Sequence, residues 1–385
     1  MKEQNKLPVG WKEVELSEIG QIVTGSTPSK TNMANYGGEF PWIKPPNLDN
    51  SMYVSKSNEY LSDEGIQKSR ILPAGSVLVS CIGNIGKIAI SGCDLATNQQ
   101  INSIIPNKNI LPEFLYYDIK KNQERFESSA TKAVVPLLNK TNFSHIKIPI
   151  PFTPEGHPDL KEQERIVKIL EKAERLKEKR KKALKLSDEY LRSVFNEIFG
   201  NKSEIKKLKD ICNIIMGQSP PGNSYNENRE GTPFFQGKAE FTEKYPIIKK
   251  WTTQVTKIAL PNSILISVRA PVGSVNLCNI KCCIGRGLAS MTPKKEITLE
   301  YLYSWFKLNE KNISDIGTGS TFKAISSIQL ANLKIPVPPL PLQQTFASIV
   351  EMVERIKERQ KQSEKEINNL YEVLMQRAFK GELVR

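Results

Sequence analysis

The sequence predicts an α+β chain: two homologous globular domains, each a mixed β-sheet with short helices, joined by two long helices that pair as an antiparallel coiled coil with pseudo-twofold symmetry. Three observations predict it. The chain repeats once along its length. Each copy alternates β-branched runs with turn residues, and each ends in a proline-marked exit followed by a long helix-forming stretch. The division that follows is 1–151 for the first domain, 152–200 for the first long helix, 201–338 for the second domain and 339–385 for the second long helix.

Taken in order, "VELSEIGQIVTGSTP" (Val14 to Pro28) matches "KKLKDICNIIMGQSP" (Lys206 to Pro220), with Leu16, Ile19, Ile22, Gly25 and Pro28 recurring 192 positions later. Pro41, Trp42 and Ile43 meet Pro233, Phe234 and Phe235 at the same offset. After small length changes, "GSVLVSCIGNIGKIAI" (Gly75 to Ile90) matches "NSILISVRAPVGSVNL" (Asn262 to Leu277), now 187 positions apart. Both read as strand, turn, strand, with Gly86 and Gly273 in the turns. "PEFLYYDIKK" (Pro112 to Lys121) and "LEYLYSWFKL" (Leu299 to Leu308) read as matching short helices. "HIKIPIP" (His145 to Pro151) and "NLKIPVP" (Asn332 to Pro338) close the two copies as strands ending in prolines.

The long helices belong to the repeat, because "KILEKAERLKEK" (Lys168 to Lys179) aligns with "SIVEMVERIKER" (Ser348 to Arg359) at an offset of 180. Heptad-like spacing predicts a helix–helix seam through Ile166, Ile169, Ala173 and Leu176 on one and Phe346, Ile349, Val353 and Ile356 on the other. A single such helix could equally pack on its own domain. Two equivalent stripes in one chain offer each other a partner, and roughly 40 helical residues would make a rod on the order of 60 Å long that holds the domains apart.

A chain of 385 residues with 39% hydrophobic residues has material for two packed cores and something extended. The formal charge of +14 points to an anionic partner. The two helical stretches carry little of it, so the excess falls on the two domains. With no apolar leader and no run near the roughly 18 residues of a membrane span, the chain reads as cytoplasmic. Six cysteines in so long a chain, Cys282 and Cys283 adjacent, read as reduced thiols and not as a disulfide framework.

Catalytic readings find little to use. "GNIGKIAIS" resembles a phosphate loop, but Cys81 stands where the first glycine belongs, and no Ser or Thr follows Lys87. "KPPN" (Lys44 to Asn47) and "SPPG" (Ser219 to Gly222) lack the aromatic residue of a base-gripping loop. Two histidines, His145 and His157, are too few for a triad or a multi-histidine metal site, and Cys278, Cys282 and Cys283 lack paired Cys-x-x-Cys spacing. No catalytic or metal residue is therefore assigned.

What remains is polar readout on two similar scaffolds. The positions shared by the copies are mostly apolar, Gly or Pro, whereas Lys44 stands against Gln236, Ile82 against Arg269, Asn84 against Pro271, Asn98 against Gly285 and Gln99 against Arg286. Side chains of these types suit base edges, Arg or Lys favouring guanine and Asn or Gln adenine. Thr27, Ser29 and Gln100 in the first copy and Gln218, Ser219 and Ser320 in the second join the candidate DNA-binding set. Lys30, Lys87, Lys132, Lys140, Lys238, Lys249, Lys250 and Lys323 are candidates for neutralising phosphates. Two differing readers imply an asymmetric, two-part target.

The order domain, helix, domain, helix, with "IPIPFTPEG" and "LKEQERIVKIL" after the first copy and "IPVPPLPLQQTFASIV" after the second, resembles the specificity subunit of type I restriction and modification systems. Its most specific element is the Ile-Pro-x-Pro exit before a Gln-containing helix start, at Gln163 and Gln343; the "VTGSTPS" loop is next. The resemblance covers essentially the whole chain. It implies two target recognition domains, each reading one half of a bipartite duplex DNA site, a coiled coil that fixes the spacer, and no catalysis by this chain. It further implies two methyltransferase subunits that bring S-adenosylmethionine to adenine N6, and two restriction subunits that bring ATP, Mg and the motor. Leu342 and Gln343 stand where the first copy has Glu162 and Gln163, so the two docking surfaces need not be equal. The rival readings are a self-contained methyltransferase or nuclease fused to a reader, and a scaffold whose basic surface meets RNA or acidic proteins.

Overall fold

The computed structural model describes residues 7, 9–48, 51–131, 134–199, 203–317 and 323–383. They fall into two compact units, one of residues 1–181 with 363–385 and one of residues 182–362. Both boundaries lie inside the long helices Leu160–Phe199 and Leu340–Ala378, so each unit holds half of each helix.

In the first unit a five-stranded sheet runs in the order Gly20–Thr24, Ile101–Pro106, Val77–Ser80, Ile88–Ser91, Tyr53–Val54, antiparallel except for the last pair. Val77, Leu78 and Val79 are all fully buried, a continuous apolar run, because the sheet is covered on both faces. Val77 and Val79 pack with Phe114 of the short helix Pro112–Lys121, while Leu78 packs with Ile43 and Leu95 of a smaller sheet built from Tyr60–Leu61, Tyr36–Ile43, Leu95–Thr97 and Ile71–Leu72.

The second unit repeats the plan. Cys212–Met216, Leu288–Pro293, Ser263–Ser267 and Val275–Cys278 form one sheet; Ile264 and Ile266 meet Tyr301 and Leu302 of the helix Leu299–Leu308, and Leu265 meets Phe235 and Ile284 of the other sheet. The strand, turn, strand reading holds in both copies, with Gly86 at φ +90° and Gly273 at φ +94°. Both short helices span the residues expected of them.

The proline exits become the second strand of a two-stranded ribbon. Lys147–Pro151 pairs antiparallel with Trp11–Glu15, and Lys334–Val337 with Glu204–Lys207. Pro149 and Pro151 lie two apart, so their missing N–H groups fall on one edge, where no ladder bond is lost. The Pro151 carbonyl on that edge accepts the Asp159 N–H at 2.8 Å.

Gln163 and Gln343, each fully buried at a helix start, explain why the exit motif needs glutamine. The Gln163 carboxamide accepts the Leu111 N–H at 3.0 Å and donates to the Asn109 carbonyl at 3.2 Å. Gln343 accepts the Thr298 N–H at 2.8 Å and donates to the carbonyls of Glu296 at 3.1 Å and Pro338 at 2.7 Å. Each ties its long helix to the loop that opens the short one, satisfying backbone groups that a helix start would otherwise leave unpaired.

Within each unit the two helix halves run antiparallel. In the first, Arg165 donates to the Leu383 carbonyl at 3.2 Å and the Lys177 ammonium sits 5.0 Å over the Tyr371 ring; in the second, Asp188 meets Lys357 at 2.7 Å and Phe199 packs on Phe346. The halves also join their unit's core: Ile166, Leu170 and Ala173 share a cluster with Phe114, Met375 and Phe379, and Phe346 shares one with Phe195, Phe199 and Tyr301. Pairing and packing on the domain are thus both present.

Two seam assignments need correction. Ile166, Ala173, Phe346 and Val353 are buried and Ile169 and Ile349 half-buried, but Leu176 and Ile356 are 44% and 43% exposed. The covered stripe runs Ile166, Leu170, Ala173, Lys177 and Phe346, Val350, Val353, Lys357. The covered stripes themselves step by four, three and four residues as a heptad seam does, and Ile169 and Ile349 lie on their shoulder, so counting seven on from those two reaches Leu176 and Ile356 beyond the covered edge.

Candidate nucleic-acid interface

In each unit, loops from separate elements are tied together at one end of the paired sheets. In the first, the Ser26 N–H donates to the Thr97 carbonyl at 2.8 Å, Asn98 N–H to Ile43 at 3.1 Å, Cys81 N–H to Gln100 at 2.8 Å and Leu138 N–H to Cys81 at 2.8 Å. The Trp42 indole adds a bond to the Ser26 carbonyl at 3.2 Å. In the second unit, Gln218 N–H donates to Ile284 at 2.9 Å, Gly285 N–H to Phe235 at 2.8 Å, Val268 N–H to Gly287 at 2.9 Å and Ile325 N–H to Val268 at 2.9 Å.

Two repeated glycines make the approach close enough. A Cβ on Gly25 would stand 2.1 Å from the Asn98 carbonyl oxygen, and one on Gly217 would stand 2.1 Å from that of Gly285. No side chain fits at either point.

The predicted site residues divide on this frame. The first unit brings Thr27, Asn84, Gln99 and Gln100 together: Thr27 hydrogen-bonds Gln99 through its hydroxyl, and the Ser80 hydroxyl holds the loop of exposed Asn84 through its carbonyl at 2.6 Å. Asn98 is turned inward, 6% exposed, its carboxamide bonded to Gln100 at 2.9 Å. Ser29 and Lys30 lie exposed further along the loop, Lys140 is exposed at the start of a short helix and Lys87 is half-buried. Lys44 pairs with Glu59 and lies 4.5 Å over the Trp42 ring, so its charge is already engaged. Neither Glu59 nor the Trp42 tether was signalled by the repeat comparison, although Gly25 and Trp42 stood in the repeated segments.

The second unit gathers Gln218, Ser219, Gln236, Arg269 and Arg286. The Arg286 N–H donates to the Ser219 hydroxyl at 3.2 Å, a Cβ on Gly287 would touch the Gln236 carbonyl, and Arg269 bridges Ala324 beside exposed Lys323. Lys238 pairs with Glu310 at 3.6 Å and Lys323 with Asp315 at 3.7 Å, both exposed pairs of small energetic weight. Lys249 donates to the Ala239 carbonyl at 3.1 Å, and Lys250 is exposed on an adjoining strand. Lys132 and Ser320 lie outside the described residues.

Among the tied loops, burial raises the Cys81 thiol to about 11; other groups shifted by burial lie away from them. Asp118, fully buried on the short helix of the first unit, is pushed up to about 6 by desolvation against the pull of Arg125 and Lys121. Cys278 and Cys282 face each other at 3.6 Å, and the hydrogen bond from that contact together with burial raises the Cys282 thiol. All six cysteines are free. Among the described residues no group of three or more Cys, His, Asp or Glu side chains could hold a metal, and no helix is long and apolar enough to cross a membrane.

Two copies of one scaffold, alike in frame and unlike in the exposed polar side chains they carry, define a duplicated recognition protein. The family is shown by comparison: the type I restriction modification DNA specificity domain matches residues 8–186 and 201–369, and the chain belongs to that family. Its role is DNA target recognition as a specificity subunit, with two domains suited to a bipartite site, and it is not a catalytic subunit. It is 33% identical to the MjaX specificity subunit of Methanocaldococcus jannaschii over 96% of this chain and 94% of that one, and 28% identical to the MjaIX specificity subunit of the same organism over 93% and 90%. Among solved structures, a chain from work on complex assembly and conformational transition of the type I R-M system aligns at TM-score 0.70 and 27% identity, covering 98% of this chain and all of that one. The HsdS subunit from Thermoanaerobacter tengcongensis aligns at TM-score 0.50, also at 27% identity, over 99% and 100%.

Proposed function

We propose that residues 1–151 and 201–338 each read one half of a split, asymmetric duplex DNA target through the tied loops described above, and that residues 152–200 and 339–385 set the spacer. Two methyltransferase subunits, bringing S-adenosylmethionine to adenine N6, and two restriction subunits, bringing ATP and Mg, dock on the chain in the cytoplasm. The observation that carries this reading is the contrast between copies: buried and glycine positions repeat, while the exposed polar side chains at the converging loops do not, Gln99 standing against Arg286, exposed Asn84 against Pro271, and exposed Arg269 against half-buried Ile82. Affinity would come from lysines that meet phosphates and specificity from the loop side chains.

Long-read mapping of modified adenines in the host, before and after deletion of this gene, is the direct test. One split, asymmetric motif should lose its methylation, and an unchanged methylome overturns the reading. The purified chain with DNA, S-adenosylmethionine and Mg should neither methylate nor cleave, whereas activity without partners favours a fused enzyme. Adding one heptad to both long helices adds about 10 Å, or about three base pairs. The spacer of the methylated motif should lengthen while its half-sites stay; methylation at the original spacing means that the helices are not the ruler.

A further inference from the structure

Gln99 and Arg286 occupy the same structural position in the two units. Each sits in the turn after the short parallel-paired strand, Leu95–Thr97 or Cys282–Ile284, and each is exposed. Each is anchored to a hydroxyl at an equivalent place in the neighbouring loop: Gln99 through its side-chain oxygen to Thr27, Arg286 through its backbone N–H to Ser219. Thr27 and Ser219 are themselves 192 residues apart, the offset of the first repeated segment.

The backbone around both is held alike. The residue before each donates to the end of the adjoining strand, Asn98 to Ile43 and Gly285 to Phe235, and Gly25 and Gly217 bring the neighbouring loop against that same residue's carbonyl. The frame is therefore duplicated and the side chain it presents is not. A carboxamide has two N–H donors and two oxygen lone pairs, so Gln99, with one lone pair on the Thr27 hydroxyl, still offers a donor and an acceptor, the complement of adenine N7 and N6; a guanidinium offers two parallel donors, the complement of guanine O6 and N7.

We propose that this position is an interchangeable specificity determinant: Gln99 selects adenine at one base pair of the first half-site, Arg286 selects guanine at one base pair of the second, and exchanging the residues exchanges the bases. The proposal rests on the DNA-reading function above and adds to it which residue reads which base class.

The test uses the specificity subunit assembled with its methyltransferase subunits, S-adenosylmethionine and a pool of randomised duplexes, with methylated duplexes sequenced. Gln99→Arg should change one position of one half-site from adenine to guanine and disfavour the original base roughly tenfold to a hundredfold, with the other half-site and the spacer intact. Arg286→Gln should produce the converse change in the other half-site, and Gln99→Ala should leave its position tolerant of any base. The intact half-site in each variant reports that the chain is folded. The proposal is overturned if both exchanges select the wild-type motif, or if they lose recognition of a half-site without acquiring the new base. A wild-type complex that selects no split motif would instead overturn the DNA-reading function itself.

Discussion

The cleft between the short helix and the long helices is built twice, and the two versions use the same residue types with different partners. In the first unit Lys120 pairs with Glu174 of the long helix at 2.6 Å, and the Tyr117 hydroxyl donates to the same carboxylate at 2.9 Å. Burial acts to lower the Lys120 ammonium, but Glu174 and Tyr116 outweigh it and the group is raised. In the second unit the counterpart Lys307 donates to the backbone carbonyl of Glu243 at 3.0 Å, and Glu354, the counterpart of Glu174, pairs with Lys244 at 3.4 Å. With no strong carboxylate bond to offset it, burial leaves Lys307 lowered.

The segment that brings Glu243 and Lys244 lies where the copies differ in length, the repeat offset falling from 192 to 187 across it. Its anchoring is nonetheless equivalent, because Leu277 N–H bonds the Lys244 carbonyl at 2.8 Å as Ile90 N–H bonds that of Met52 at 2.7 Å. Backbone anchors persist where loop length and side-chain partners do not.

The largest test of this comparison is at the helix position occupied by Phe346 in one unit and Ile166 in the other, both buried. Phe346→Ala should destabilise by about 3–5 kcal/mol and Ile166→Ala by about 2–4 kcal/mol in guanidinium unfolding. A reversal of that order would mean that the aromatic cluster of Phe195, Phe199, Tyr301 and Phe346 does not hold the second unit more firmly than aliphatic packing holds the first.

The buried glutamines come next. Gln163→Ala should cost about 2 kcal/mol and Gln343→Ala about 1 kcal/mol more, since each leaves a backbone N–H unpaired and Gln343 makes one further bond. Equal losses would show that the Pro338 contact contributes nothing.

Asp118 has Trp305 as its counterpart, so only the first unit should show its pH dependence. Its folded value of about 6 lies above the ordinary 3.8, so the folded state binds the proton more tightly. The associated stability is complete below about pH 4 and is lost as pH rises through about 6. A shift of this size is worth at most about 3 kcal/mol. Asp118→Asn should therefore raise the unfolding free energy at pH 7.5 by roughly 2 kcal/mol and by little at pH 4; a pH-independent gain would assign the effect to something other than the proton.

The smallest effect should come from Leu176→Gln and Ile356→Gln, each within about 0.5 kcal/mol. Val353→Gln, on the covered stripe, should cost several times more. Similar losses at all three would put Leu176 and Ile356 back on the seam.

Repetition made much of the fold legible. A segment such as Pro112–Lys121 carries its own helical pattern, and its match at Leu299–Leu308 supplied an independent second reading. Gly86 and Gly273 marked turns because a positive φ excludes most side chains. The site was less legible because its geometry depends on contacts distant in sequence. Asn98 and Gln99 are adjacent and chemically alike, yet a tight turn buries one and exposes the other. Lys44 looked available until Glu59, fifteen residues on, engaged it. Leu176 and Ile356 fitted the seven-residue count, but from Ile169 and Ile349 on the shoulder of the stripe and not from its buried line.

Gly25 and Gly217 have an effect on how such a chain can diverge. Because backbone contact at these two points fixes the turns beyond them, the side chains at 99 and 286 can be replaced without disturbing any buried neighbour. On the proposed reading of these side chains, folding stability and target choice are decoupled at the two positions, and a lineage carrying this scaffold would drift from one recognised sequence to another by single exposed substitutions, without passing through a destabilised intermediate.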